Sequence, residues 1–243
     1  MATDKLKPGE VIGSALEIYG AQVWVLIPAA ITVFAILAVA RVIFTGAAVA
    51  LVSILSIVLS TFYQGMVVEL VRDVQDGRRE NSVGQLFGSV APIVLPLIGL
   101  SLVVGFGVVI GFVLLIVPGI YLMTIWAVAA PSFVIERRGV FAAIGRSREL
   151  VKGHGWQVLG VIAVVLVLAL LTGIAVGALA SGLGNGGVAV VQWAANVIVS
   201  PFTALVSAVM YFSLRRLHGE AAAASGSAAP ESGSPGDPPS LGL

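Results

Sequence analysis

The chain contains no cysteine, which excludes disulfides, thiolate metal ligands and cysteine nucleophiles. Charge is also scarce. Asp, Glu, Lys and Arg make up 10% of its 243 residues, against about 25% in soluble domains. Only two histidines occur, His154 and His218, each followed by glycine, so no histidine-rich metal site is expected. No two acids share an apolar run, which removes a carboxylate proton relay. No nucleophile stands beside a base. The glycine-rich GFGVVIG from Gly105 to Gly111 lies inside an apolar run and reads as a packing face, not a phosphate cradle. Neither catalysis, nor a cofactor, nor a metal is expected. Free basic surface is too sparse to favour nucleic acid.

What fills the chain instead is hydrocarbon. Hydrophobic residues make up 58% and the mean hydropathy is +1.07. These values indicate an all-α integral membrane protein, since a bilayer is crossed by about 20 apolar residues in a helix. Six spans are predicted, at about 23–40, 47–71, 91–112, 118–135, 157–179 and 188–214. A polar start (1–7) precedes the membrane domain (8–218), and an Ala/Ser/Pro/Gly-rich tail (219–243) predicts disorder. The start shows no cleavable signal pattern, so the first span is expected to direct insertion. Ala91–Ile135 is 45 residues without a charge. It is too long for one span, and a break is expected near Pro118-Gly119. Thr45-Gly46 reads as a turn between the first two spans.

Amphipathic spacing marks helices outside these runs. Val11, Ile12, Ala15, Ile18 and Tyr19 predict one in the membrane interface, and Ser82–Val90 a weaker one. The third falls in Glu136–Trp156, the longest polar segment between the first and last apolar runs. It carries Arg137, Arg138, Arg146, Arg148 and Lys152 against Glu136 and Glu149, a net +3. On a helical wheel Val140, Phe141, Ile144, Ser147 and Val151 share a face, with Arg146 and Glu149 turned away. With six spans, twelve of the thirteen Lys and Arg residues fall on one side; only Arg41 lies opposite. The positive-inside rule then puts both termini in the cytoplasm, with the other face nearly bare.

The outer two of these segments are alike. Without gaps, Ile12, Gly13, Glu17 and Trp24 align with Ile144, Gly145, Glu149 and Trp156, and Ile18 with Leu150. Three parallel repeats are expected, each an interfacial helix followed by a transmembrane hairpin.

Pro118-Gly119-Ile120-Tyr121-Leu122, Trp126, Ala130-Pro131, Arg146-Ser147, Glu149-Leu150, Lys152-Gly153 and Trp156 resemble the membrane domain that accompanies some bacterial glycerophosphoryl diester phosphodiesterases, and its stand-alone relatives. The likeness is specific over residues 116–161. It implies a six-helix inner-membrane protein. The enzymatic half of the family does not carry over, because the chain has no room for a catalytic domain.

Two sets of candidate residues follow. Arg137, Arg138, Arg146, Arg148 and Lys152 either bind anionic lipid or a partner protein, or only fix topology. Glu69, the one acid within an apolar run, either serves a cavity or pairs with Arg72 at the membrane margin. Ser53, Ser56, Ser60 and Gln64 stripe the second span; Gln192, Asn196, Ser200, Thr203 and Ser207 stripe the sixth. They either line a polar cavity, with Gln64, Glu69, Gln192 and Asn196 as its candidates, or only pack helices together. The expected role is accessory or structural, among membrane lipids and with a partner or a second copy. The alternative is a small transporter or lipid-handling protein.

Overall fold

A computed structural model describes residues 6–44, 48–77 and 83–219. Lys5, the turn expected at Thr45-Gly46, residues 78–82 and the tail beyond residue 219 lie outside the described residues. Among the described residues there is no strand. The helices are α1 (Pro8–Ala21), α2 (Val23–Ile43), α3 (Val49–Gln75), α4 (Val83–Val90), α5 (Val94–Leu114), α6 (Ile116–Ile125), α7 (Ala129–Glu136), α8 (Val140–Val151), α9 (Gly155–Ala180) and α10 (Asn185–Leu217).

Six stretches are long and apolar enough to cross a bilayer: Val23–Ile43, Leu51–Gln75, Gly84–Leu114, Ile116–Glu136, Gly155–Ala180 and Gly186–Leu217. Helices satisfy their own backbone groups in lipid, which is why such runs fold this way. The chain is a multi-pass, all-α membrane protein. In chain order α1 and α8 each precede two of these stretches, and α4 forms the start of the third.

α10 is the central element and packs on α1, α2, α3 and α9. Leu205, Ala208, Tyr211 and Leu214 on it are completely buried. α9 is the opposite case. Leu166, Val167, Leu170, Leu171 and Ile174 are exposed, forming a face that only lipid can cover. α1 differs from a helix lying free in the interface. Its Val11 and Ala15 are buried, and it packs on α9 and α10, with the Tyr19 hydroxyl 3.3 Å from the Ile198 carbonyl.

The third and fourth spans form a hairpin, but its break lies earlier than the sequence indicated. Leu115 is extended (φ −164°, ψ 153°) and α6 starts at Ile116. Pro118 therefore sits in the first turn of α6, where its missing N–H costs no helical bond. The hairpin closes tightly because Gly107 leaves room for the Trp126 ring; a Cβ there would lie 2.3 Å from it.

The fourth span is interrupted between Ile125 and Ala129. The interruption leaves the Ile125 carbonyl and the Val128 N–H without helical partners. Ser147, fully buried on α8, takes both: its hydroxyl donates to Ile125 O at 2.8 Å and accepts from Val128 N at 3.3 Å. One side chain thus completes a broken span and fixes α8 against it.

Candidate functional site

Helix ends separate into two groups. Lys7, Arg72, Arg137, Arg138, Arg146, Arg148, Lys152, Arg215 and Arg216 lie towards one end of the bundle, the basic end. Arg41 lies at the other.

At the basic end the five cations of the 136–156 segment divide. Arg137 follows the last residue of α7 in a left-handed conformation, φ 53°, the one non-glycine positive φ among the described residues. That conformation costs a non-glycine residue about 1–2 kcal/mol, and the side chain it aims provides the offset. Its guanidinium pairs with Glu69 on α3 and donates to Ser89 O at 3.1 Å. Glu69 is buried, with 5% of its surface exposed. Glu69 also pairs with Arg72, the partner that spacing indicated, whose Nη1 is 3.5 Å away, so it has two arginine partners. A buried carboxylate must be paired, and sequence spacing could reveal only the local candidate. Arg146 donates to Glu136 Oε1 at 3.1 Å and to Glu149 Oε2 at 3.2 Å. Glu136 Oε1 also accepts from the Tyr211 hydroxyl of α10 at 2.9 Å, and Arg138 Nε lies 3.2 Å from its Oε2. Arg146 is thus turned inward, not outward as the wheel indicated. Phe141 makes the reverse correction: it is 79% exposed, and the buried face of α8 is Ala143, Ser147, Leu150 and Val151. The wheel overvalued Phe141 because, beside lipid, an apolar side chain need not face protein.

Arg137, Arg138 and Arg146 therefore all engage acids of the chain, Arg137 tying the end of α7 to α3 and α4 and Arg146 tying α8 to α7. Arg148 and Lys152 do not. Both are exposed and neither makes an ion pair among the described residues. They border an open groove of about 970 Å³ between α6, the end of α8 and the start of α9. Gly153, at φ 89°, makes the turn between α8 and α9. The first amides of α9 have no acceptor within their helix, and His154 supplies no side-chain cap. Their partial positive charge adds to that of the two cations. The facing wall is apolar, from Val117, Tyr121 and Trp156, each more than half exposed. Glu149 also borders the groove, with its carboxylate engaged by Arg146.

Towards the opposite end an open cavity of about 600 Å³ lies between α2, α3 and α10. Gln192 and Asn196 line it, together with Ser53, Ser56, Ser60 and Ser200. Gln64 does not line it and is exposed. Glu69 belongs to the ion pairs of the basic end. Sequence reasoning missed Arg41 at this cavity, treating it as a topology marker. Its isolation was the available signal. No cluster of three or more metal-ligating His, Cys, Asp or Glu occurs among the described residues.

Fold and site together define a six-span helical membrane protein with a basic end, an amphiphilic groove and a polar cavity. Residues 38–219 match the uncharacterised protein family UPF0259, and the chain belongs to that family. No curated protein and no solved structure matches it.

Proposed function

We propose that this protein is a non-catalytic, accessory component of a bacterial cytoplasmic membrane that engages an anionic phospholipid in the groove beside Arg148 and Lys152. The observation that carries this reading is the division of the cations: three are held by acids of the same chain, and these two border an apolar wall. A phosphate group suits the Arg148 and Lys152 side and the uncapped start of α9. An acyl chain suits the wall of Val117, Tyr121 and Trp156, with Trp156 at the headgroup level. The asymmetry of charge supports a cytoplasmic basic end and cytoplasmic termini. The short helices α1, α4 and α8, one at the start of each pair of spans, support three repeats. The likeness to the phosphodiesterase-associated membrane domain bears on the same place, since Tyr121, Lys152, Gly153 and Trp156 of that motif all line the groove. A protein partner or second copy on the basic end is part of the same accessory reading.

Native mass spectrometry from gentle detergent tests the lipid. The wild-type protein should retain phosphatidylglycerol, and an Arg148→Ala/Lys152→Ala variant should lose it with unchanged circular dichroism. Equal retention by both would reduce the two cations to topology markers.

The cavity favours a second reading, a small transporter or lipid-handling protein. Asn196→Leu would then abolish function while leaving lipid at the groove.

A further inference from the structure

We infer that the cavity between α2, α3 and α10 is a binding site for an organic phosphate that carries hydrogen-bond donors, with Arg41 as its anchor. Binding there does not depend on the lipid groove; it deepens the second reading above, because it names the class of ligand the same cavity would hold, without requiring that the ligand be transported.

Three observations converge. First, Arg41 borders the cavity and makes no ion pair or side-chain hydrogen bond among the described residues. Arg41 is exposed in the last turn of α2, open to a ligand, and its planar fork matches a phosphate or carboxylate. Second, Gln192 and Asn196 are half-buried beside the cavity, and their amides have no partner among the described residues. Polar groups at membrane depth need partners. Third, the hydroxyls are set as acceptors. Ser56 gives its proton to Ser53 O at 2.7 Å and Ser60 gives its proton to Ile57 O at 3.2 Å. Their remaining lone pairs ask for donors, which a bare inorganic anion lacks.

The lining fixes the reach of the ligand. Phe44 lies at the outer end of the cavity and Phe34 at the inner end. Ten residues of helix separate them, about 15 Å, so the cavity extends roughly halfway through a bilayer core of about 30 Å. Apolar Phe34, Leu37 and Val52 share the lining with the polar groups. A phosphate at Arg41 with hydroxyl or amine groups directed towards Gln192 and Asn196 satisfies both sets. Such a phosphate is found on a lipid headgroup or on a free solute.

The absence of cysteine supplies the experiment. A Ser56→Cys variant in phosphatidylcholine vesicles is treated with an anionic sulfonatoethyl and a cationic trimethylammonioethyl methanethiosulfonate. The anionic reagent should react on the order of tenfold faster. Arg41→Gln should remove that preference and Arg41→Lys should keep it, with each variant checked by size-exclusion chromatography for an intact fold. Slowing by phosphatidylglycerol in the vesicles would assign the site to a lipid headgroup. Slowing by soluble glycerol phosphate alone would assign it to a solute. Equal rates for the two reagents, a preference that survives Arg41→Gln, no reaction at all, or no slowing by either phosphate would overturn the inference.

Discussion

The α1–α2 junction and the α8–α9 junction bury the same positions and use them differently. In the register that aligns Trp24 with Trp156, Val11 and Ala15 correspond to Ala143 and Ser147, and all four are buried. The two tryptophans are 87% and 84% exposed, each at the second position of its span. The packing plan is shared, so the differences are informative. Where the second junction has Ser147, the first has Ala15, because no broken span lies against α1. Where the second has Arg148 and Lys152, the first has Leu16 and Gly20. Topology could be marked by cations at either junction. Their confinement to the one that borders a groove supports a ligand there.

The largest way to break the second junction is to strand its buried acid. Arg137→Ala leaves Glu69 with Arg72 alone, and should destabilise the protein by about 3 kcal/mol, the low end of the cost of breaking a buried pair because one arginine remains and the lost one is partly exposed. Thermal melting in detergent reads this, and a melting temperature unchanged from wild type would show that the pair contributes little. Next comes the hydroxyl. Ser147→Ala leaves the Ile125 carbonyl and the Val128 N–H unpartnered and should cost about 1–3 kcal/mol. The reciprocal Ala15→Ser should cost about 1 kcal/mol, since a helical serine can bond back to its own preceding turn. If the two changes proved equal, the clasp would be no more than packing. The smallest stability effect is expected at the cations that distinguish the junctions. Arg148→Ala/Lys152→Ala should shift stability by less than about 0.5 kcal/mol. The same variant should weaken phosphatidylglycerol binding roughly 30-fold, from about 1 kcal/mol per cation. Lipid titration by native mass spectrometry separates these two numbers.

The six spans were legible because each is a long apolar run bounded by charge, by a glycine-rich turn or, within the uncharged residues 91–135, by length alone, and all of these are one-dimensional properties. Partnerships were not. Glu69 has Arg72 three residues on, so a linear reading selects it, whereas Arg137 arrives from a distant turn. The hairpin break was misplaced because proline reads as an interruption, although the start of a helix tolerates it. Gln192 and Asn196 were legible as a stripe, but Gln64 was grouped with Ser60 by spacing alone and is turned out of the cavity. Ser147 was seen only as a member of an apolar face, because the two backbone groups it serves exist only once the fourth span has broken.

That clasp has a consequence for biogenesis. Synthesis runs from the N-terminus, so the fourth span leaves the ribosome before α8 does. Until α8 is made, the Ile125 carbonyl and Val128 N–H must find water or the insertion machinery, and the span cannot settle alone in lipid. A nascent chain ending at residue 139 should therefore insert its fourth span less completely than one ending at residue 157, as glycosylation mapping would read. Maturation of the first four spans waits on a serine that the chain supplies only after all four have been made.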